Sequence, residues 1–341
     1  MINSNIFIGM RTHNSSKTLD RPFESIYKQT VQNIKVIVYD DKSNDNTINM
    51  LNIWKSKLKT RGINMDIFES KEDTNEGCGK SSERLHKIVS NEIKDNDIYM
   101  ELDSDDTLLN PNTVKDCTKQ MDKTDANILI AGYTIFGDKN LVINYKGGAP
   151  HNDLSHKLSA TSVSIEQMPE IASTVDSIGW TKILKGNIFK RYVKMFPECP
   201  KEMNVCEDFP TLIYLLFKDA KITGLKDNIY GYYKHVQSST ATIIQKEAFS
   251  QVRLGFLKVL QQMYQNNREE FVNNAEKHIN NFLSKKYTVI GSIVEKKSTE
   301  GLLKNYTRKD FEKDFKEQID CSKLNLNEFM DTLLRNLQNG K

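Results

Sequence analysis

The sequence offers no cysteine framework. Its five cysteines (Cys78, Cys117, Cys199, Cys206 and Cys321) are odd in number, and no two stand in a C-x-x-C pair. Neither a disulfide scaffold nor a thiolate zinc site is indicated, and a reducing compartment is expected. The six histidines are scattered, with no H-E-x-x-H pattern of a zinc protease. No apolar run approaches the ~18 residues of a membrane span. The start, Met1 to Asn5, lacks the basic region, apolar stretch and cleavage site of a secretion signal. A soluble, cytoplasmic protein without an integral membrane segment is therefore expected. Charge of one sign is also missing: 48 basic against 45 acidic residues leave a net +3. Charge alone thus makes no case for nucleic acid or an anionic membrane. Internal repeats and low-complexity tracts are absent as well.

One nucleotide-binding signature is present only in part. Gly77-Cys78-Gly79-Lys80-Ser81 ends like a phosphate-cradling P-loop, but the required first glycine would fall at Thr74. The segment also follows Asn75-Glu76 in a loop rather than leaving a strand, which argues against a P-loop nucleotidase.

What remains is a 341-residue chain, 38% hydrophobic and 27% charged. That is long enough for one large domain or a domain plus an appendage. Its first half alternates short apolar runs with helical patterns. Ile6–Ile8, Lys35–Tyr39, Met65–Phe68, Ile98–Leu102 and Ile128–Ala131 read as strands. Leu19, Phe23, Ile26 and Tyr27 fall at helical spacing. Asp45 is placed to cap a second helix carrying Ile48, Leu51, Trp54 and Leu58 on one face. Such alternation predicts an α/β fold, a mostly parallel sheet with helices on both faces, whose ligands bind at the carboxyl ends of the strands. Lys146–Pro150 reads as a turn, and Phe209–Phe217 as a helix with Pro210 in its first turn. Beyond Thr240 the pattern is helical throughout. A boundary near 240 divides a catalytic domain, 1–240, from a helical C-terminal region, 241–341, with acceptor binding, oligomerisation or another interaction as its expected roles.

Three polar clusters stand at predicted strand ends: Arg11 to Asn14, Asp40 to Ser43, and Asp103 to Asp106. In the last, three carboxylates within four residues repel one another unless a cation or water absorbs the charge. Aspartates at i and i+2 beyond a strand reach one ion, and Mg²⁺ or Mn²⁺ prefers such oxygen ligands together with diphosphate oxygens. An exposed acidic turn with a helix cap is the competing reading. Asp40 and Asp41 suit a nucleobase or ribose, or else a plain β-to-α turn. Glu207-Asp208, ahead of a helix, suits a general base on an acceptor hydroxyl, or a helix cap.

Taken in order, these segments resemble the family 2 glycosyltransferases, inverting enzymes of the GT-A fold, over roughly residues 5–240. Thr12-His13-Asn14 is similar to the T-x-N motif, and Ser25 to Thr30 to S-I-x-x-Q-T. Ile37 to Thr47 resembles V-V-D-D-G-S-x-D-x-T, with Lys42 in place of glycine. Asn75-Glu76-Gly77 with Arg84 resembles N-x-G…A-R-N, with two extra residues and no following asparagine. Leu102 to Asp106 resembles L-D-S-D-D, and Trp180-Thr181-Lys182 resembles W-x-K. Phe196-Pro197-Glu198 with Glu207-Asp208 resembles F-P-E…E-D. Tyr230 to Lys234 followed by Ser238 to Thr240 resembles Y-x-Y-R…S-x-T, with Lys234 for arginine.

The resemblance implies a Rossmann-like nucleotide-sugar-binding domain that moves a sugar from a nucleotide-diphosphate donor, a UDP-sugar favoured, to an acceptor hydroxyl with inversion. Thr12, Asn14, Asp40 and Asp41 would hold the nucleoside. Asp103 and Ser104 would face the nucleotide, Asp105 with Asp103 would bind Mn²⁺ or Mg²⁺, and Asp208 would be the base. Arg84 and Lys234 would meet the phosphates. Glu207 and Trp180 would line the acceptor side, and Trp180 reads equally as a core aromatic. The acceptor stays open among glycan, lipid, protein and a hydroxymethyl-pyrimidine of modified DNA. Lys285-Lys286 and Lys296-Lys297 read as a solvated helix face rather than a phosphate contact. A non-catalytic nucleotide-sugar-binding protein is the alternative from another class. A nucleotidyltransferase is disfavoured because Arg11 to Ser16, after the first strand, holds no glycine.

Overall fold

A computed structural model of the chain describes residues 4–137, 150–164, 167–168, 179–195, 198–199 and 220–234. The proposed Glu207-Asp208 base segment, the Phe209–Phe217 helix, the side chain of Lys234 and the region 241–341 lie outside the described residues.

The first half is the alternation expected: β1 (Ile6–Thr12), α1 (Asp20–Tyr27), β2 (Ile34–Asp40), α2 (Thr47–Thr60), β3 (Asn64–Glu69), α3 (Cys78–Glu92) and β4 (Ile98–Glu101). A short β5 (Thr107–Leu108), α4 (Thr113–Thr124) and the long β6 (Ile128–Gly137) follow. Next come α5 (Pro150–Lys157), β7 (Val163–Ser164), β8 (Lys182–Lys185), α6 (Gly186–Met195) and β9 (Lys221–Lys234). The nine strands among the described residues share one sheet, in the order β3-β2-β1-β4-β8-β6-β9-β5, with β7 also on β9.

β3, β2, β1 and β4 run parallel, and β6 pairs parallel with β9. The additional strands β5, β7 and β8 pair antiparallel with their neighbours. β1 and β2 bury nearly every residue, as strands covered on both faces must. On one side of them, Ile6, Ile8, Met10, Val36 and Val38 join Phe23 of α1 and Leu51, Trp54 and Leu58 of α2 in one core. Phe23 stacks on Trp54 with centroids 5.7 Å apart. Ile48, expected on the same helix face, is half-buried against that core.

Gln29, just past α1, is buried and fully engaged. Its Nε2 donates to the Ser25 and Asn110 carbonyls, and its Oε1 accepts from the Val114 amide. The Q of S-I-x-x-Q-T thereby ties α1 to the start of α4. Gly9 is required by close approach: a Cβ there would sit 2.6 Å from the Tyr99 hydroxyl. The space it leaves admits that hydroxyl, which donates to Glu101 at the end of β4.

The register decides what meets at the carboxyl ends. Thr12 pairs with Asp40, while β4 leaves the ladder at Gly9↔Glu101. β1 therefore projects past β4, and Arg11 and Thr12 stand level with the loop that follows Glu101. β2 and β3 lie on one side of β1 and β4 on the other, so the winding reverses after β3 and the switch point falls between β1 and β4. Crevices at such switch points are where open α/β sheets hold their ligands.

Candidate active site

Two polar turns flank the end of β1. In the first, Asp40 is buried and accepts from the Thr12 hydroxyl (2.8 Å), the Ser43 hydroxyl (2.6 Å) and the Ser43 amide (2.9 Å). Asp41 is also buried, and its carboxylate gathers the segment before α3. It accepts from the Glu76 amide (2.8 Å), the Gly77 amide (2.8 Å) and the Ser81 hydroxyl (2.7 Å). The incomplete P-loop therefore forms the first turn of α3, held by a carboxylate of the neighbouring turn.

Asn14 and Lys42 both adopt left-handed backbone, at φ 51° and 58°. Asn14 bridges to the residues after Lys42: its backbone amide donates to Ser43 Oγ, and its Oδ1 accepts the Asn44 amide, both at 2.8 Å. His13 Nδ1 lies 2.6 Å from the Asp41 carbonyl, which can only accept, so Nδ1 carries the hydrogen. Nε2 is then left to accept from Asn14 Nδ2 at 3.1 Å. Asp45 stands one residue before the N-cap of α2, and its carboxylate accepts the Thr47 amide at 2.9 Å and the Ser16 hydroxyl at 2.6 Å. Burial opposes its charge, but these hydrogen bonds hold the carboxyl at about 2.

The second turn is the acidic loop, and each of its four residues is tied by a different element. Arg11 of β1 donates to Asp103 Oδ1 at 3.4 Å and to the Cys78 carbonyl at 3.2 Å. The Ser104 hydroxyl is 2.9 Å from that of Ser15. Arg21 of α1 donates to the Asp105 carbonyl and lies over the Tyr233 ring, 3.6 Å from its centroid. Asp106 is wholly buried; it accepts from the Tyr230 hydroxyl and the Tyr233 amide, both at 2.8 Å.

Asp103, Ser104 and Asp105 are half-buried, so the loop turns one aspartate inward and presents two. Burial, and then the charges of Asp103 and Asp105, push the Asp106 carboxyl up to about 9. Burial, followed by the charges of Asp103 and Asp106, keeps the Tyr230 phenol well above its usual value and hence a donor. Among the described residues no group of three or more His, Cys, Asp or Glu side chains is arranged to hold a metal ion. Two outward carboxylates nevertheless suit a Mg²⁺- or Mn²⁺-type ion, which takes one or two protein carboxylates and completes its shell with substrate oxygens and water.

Beneath this loop lies a buried pair. Glu101 accepts from His86 of α3 as well as from Tyr99. The His86 ring is edge-on to Tyr99, Phe189 and Tyr192. Burial works against the Glu101 charge, but the charge and hydrogen bond of His86, followed by the charge of Arg11, bring its carboxyl down to about 2.

Of the expected site residues, Thr12, Asn14, Asp40, Asp41, Asp103, Ser104 and Asp105 come together at the ends of β1, β2 and β4. Arg84 stands apart on α3, paired with Glu76 at 2.9 Å and Glu72 at 3.6 Å. Trp180 is buried, stacked on Tyr230 at 4.0 Å and packed against Tyr133 and Tyr232, so its ring surface is spent largely on packing. Arg11, Ser15, Arg21 and Ser81 had no assigned role in the sequence. The one visible signal is an arginine placed directly after the apolar run Ile6 to Met10.

Residues 7–161 match the family model described as Glycosyl transferase family 2. The chain is similar to a processive diacylglycerol beta-glycosyltransferase of Mycoplasma genitalium. The two are 22% identical over 234 residues, 68% of this chain and 64% of that protein. S. aureus TarS, residues 1–349 in complex with UDP-GlcNAc, superposes with a TM-score of 0.60 at 18% identity, over 98% of this chain and 89% of that one. GalNAc-T7 with UDP, GalNAc and Mn²⁺ superposes at 0.50 and 12% identity, over 85% and 57%. No helix among the described residues is long and apolar enough to cross a membrane.

Proposed function

We propose that the protein is a family 2 glycosyltransferase of GT-A fold, a reading that the family match of residues 7–161 and the superposition on TarS support, and that it transfers a sugar from a nucleotide-diphosphate donor, a UDP-sugar, to an acceptor hydroxyl with inversion. The observation that carries the proposal is the placing of two carboxylate turns on either side of the end of β1, one tied to it by Thr12–Asp40 and the other by Arg11–Asp103. One turn offers a rigid, hydrogen-bonded frame for a nucleoside, and the other a negatively charged rim where a cation and a diphosphate neutralise each other. The UDP-GlcNAc in TarS and the UDP and Mn²⁺ in GalNAc-T7 support the same choice of ligands.

In this reading Thr12, Asn14, Asp40 and Asp41 shape the nucleoside turn, Asp41 by ordering residues 76–81 behind it. Asp103 and Ser104 face the nucleotide. Asp105, with Asp103, holds Mn²⁺ or Mg²⁺, which when bound supplies charge neutralisation to the leaving diphosphate. Asp208 serves as the base and Glu207 as an acceptor-side residue, while Lys234 and Arg84 add positive charge toward the phosphates. Arg84 does so only by leaving Glu76. Residues 1–240 act as the catalytic domain, and 241–341 serve acceptor binding or oligomerisation.

The test is a thermal-shift screen of UDP-, GDP- and TDP-sugars with Mn²⁺, followed by assay of nucleoside diphosphate release. UDP-sugar stabilisation and metal-dependent release, lost in Asp105→Ala, are expected. Binding without release under any acceptor would replace the enzyme with a nucleotide-sugar-binding protein. Full activity in Asp105→Ala would remove the metal assignment, and unchanged turnover in Asp208→Asn would remove the base.

A further inference from the structure

Asp106 and Tyr230 take no part in the chemistry above, yet they carry the best-defined contacts of the acidic loop. The Tyr230 hydroxyl accepts the Asp103 amide at 3.1 Å and donates to Asp106 Oδ2 at 2.8 Å. The first N–H and the last carboxylate of the loop thus end on one phenol oxygen. Within the loop, the Asp106 amide donates to the Asp103 carbonyl at 3.2 Å and closes the turn. Asp106 Oδ1 is taken by the Tyr233 amide. The β5–β9 register, Leu108↔Tyr230, sets the phenol beside the turn. Trp180, stacked on the ring at 4.0 Å and 12°, fixes its plane.

We infer that Tyr230 is a positioning residue that sets the outward geometry of Asp103 and Asp105, with Asp106 as its inward anchor rather than a third cation ligand. The assignment rests on the glycosyltransferase reading for what Asp103 and Asp105 hold; the clamp itself does not. Three adjacent carboxylates left to themselves would spread apart. Anchoring the third one inward removes it from competition for a cation and fixes the turn on which the other two stand. Groups that orient metal ligands from behind typically affect metal affinity or activity by about 10–100-fold.

Tyr230→Phe deletes one oxygen and keeps the ring stack on Trp180. Two measurements on the full chain test it. Calorimetric titration with UDP in the presence of Mn²⁺ should show about a tenfold or greater loss of affinity, with UDP binding in EDTA much less changed. Hydrogen exchange should rise in the peptide spanning residues 103–108, because the Asp103 amide loses its acceptor. If wild-type protein binds no UDP with Mn²⁺, the functional reading fails, and the exchange result alone judges the clamp. Unchanged exchange at 103–108 overturns the clamp. Faster exchange with unchanged Mn²⁺-dependent affinity overturns its role toward the cation. Should Tyr230→Phe fail to fold, Asp106→Ala removes the acceptor of the Tyr230 hydroxyl from the other end and carries both readouts.

Discussion

Asp41 separates two ways in which a carboxylate at a strand end can serve a nucleotide. It either touches the nucleoside or builds the wall behind it. Its oxygens accept the Glu76 and Gly77 amides and the Ser81 hydroxyl at 2.7–2.8 Å, and it is 3% exposed. In Asp41→Asn, whichever way the amide is turned, its NH₂ faces at least one of these donors. One buried donor is orphaned, at about 1–3 kcal/mol, and the remaining bonds lose their charge assistance. The loss should total about 2–3 kcal/mol. For a domain of about 150–250 residues, that lowers the melting temperature by about 5–10 °C. Thermal unfolding without ligand reads the first effect, and hydrogen exchange over residues 72–81 reads the second. UDP affinity should fall as a consequence of the loosened segment. A variant that melts with wild-type protein and loses only UDP affinity would refute this reasoning and return Asp41 to direct contact.

Three further outcomes are expected. Gln29→Leu strands the Val114 amide and the Asn110 carbonyl and should cost about 2–4 kcal/mol in urea unfolding; a loss below about 1 kcal/mol would contradict the tie between α1 and α4. The Glu101 carboxyl is held at about 2 in the fold, below its unfolded value of about 4.3. Its contribution to stability is therefore complete above the unfolded value and lost as pH falls through about 2. His86→Phe removes the counter-charge and should move acid unfolding, followed by circular dichroism, to higher pH; an unmoved midpoint would show that the pair adds nothing. Lys42 at φ 58° pays the left-handed cost that glycine avoids, so Lys42→Gly should raise stability by about 0.5–1 kcal/mol; a lower melting temperature would show that its side chain makes a stabilising contact.

The part of the fold that was legible is the part whose signals are local. β1 to β4 and α1 and α2 carry short apolar runs and a 3.6-residue stripe, and the same residues lie in the core: Ile6, Ile8, Leu51, Trp54 and Leu58. α3 is not legible in the sequence because it opens on Cys78-Gly79-Lys80-Ser81, residues that read as loop. What makes them a helix start is the Asp41 carboxylate and Gly77 at φ 85°, contacts some forty positions from Asp41 in sequence. β8, Lys182–Lys185, is four residues long with a lysine at each end. Only its place between β4 and β6 makes it a strand.

The acidic loop shows where such reading stops. Asp103, Asp105 and Asp106 are chemically alike and nearly adjacent, so no local rule ranks them. Their difference comes from Tyr230, 124 positions beyond Asp106, and from Arg21, 84 positions before Asp105. A phenol and a backbone amide draw Asp106 inward, while an arginine on the Asp105 carbonyl and the Ser15–Ser104 pair tie Asp105 and Ser104, which stay half-buried. The pattern D-x-D-D therefore marks where charge gathers, and the tyrosine of Y-x-Y decides which of those charges can meet a ligand. It follows that the two segments act as one unit: a change at Tyr230 should alter cation binding as a change at Asp105 does, more weakly and with the loop's exchange rising alongside it.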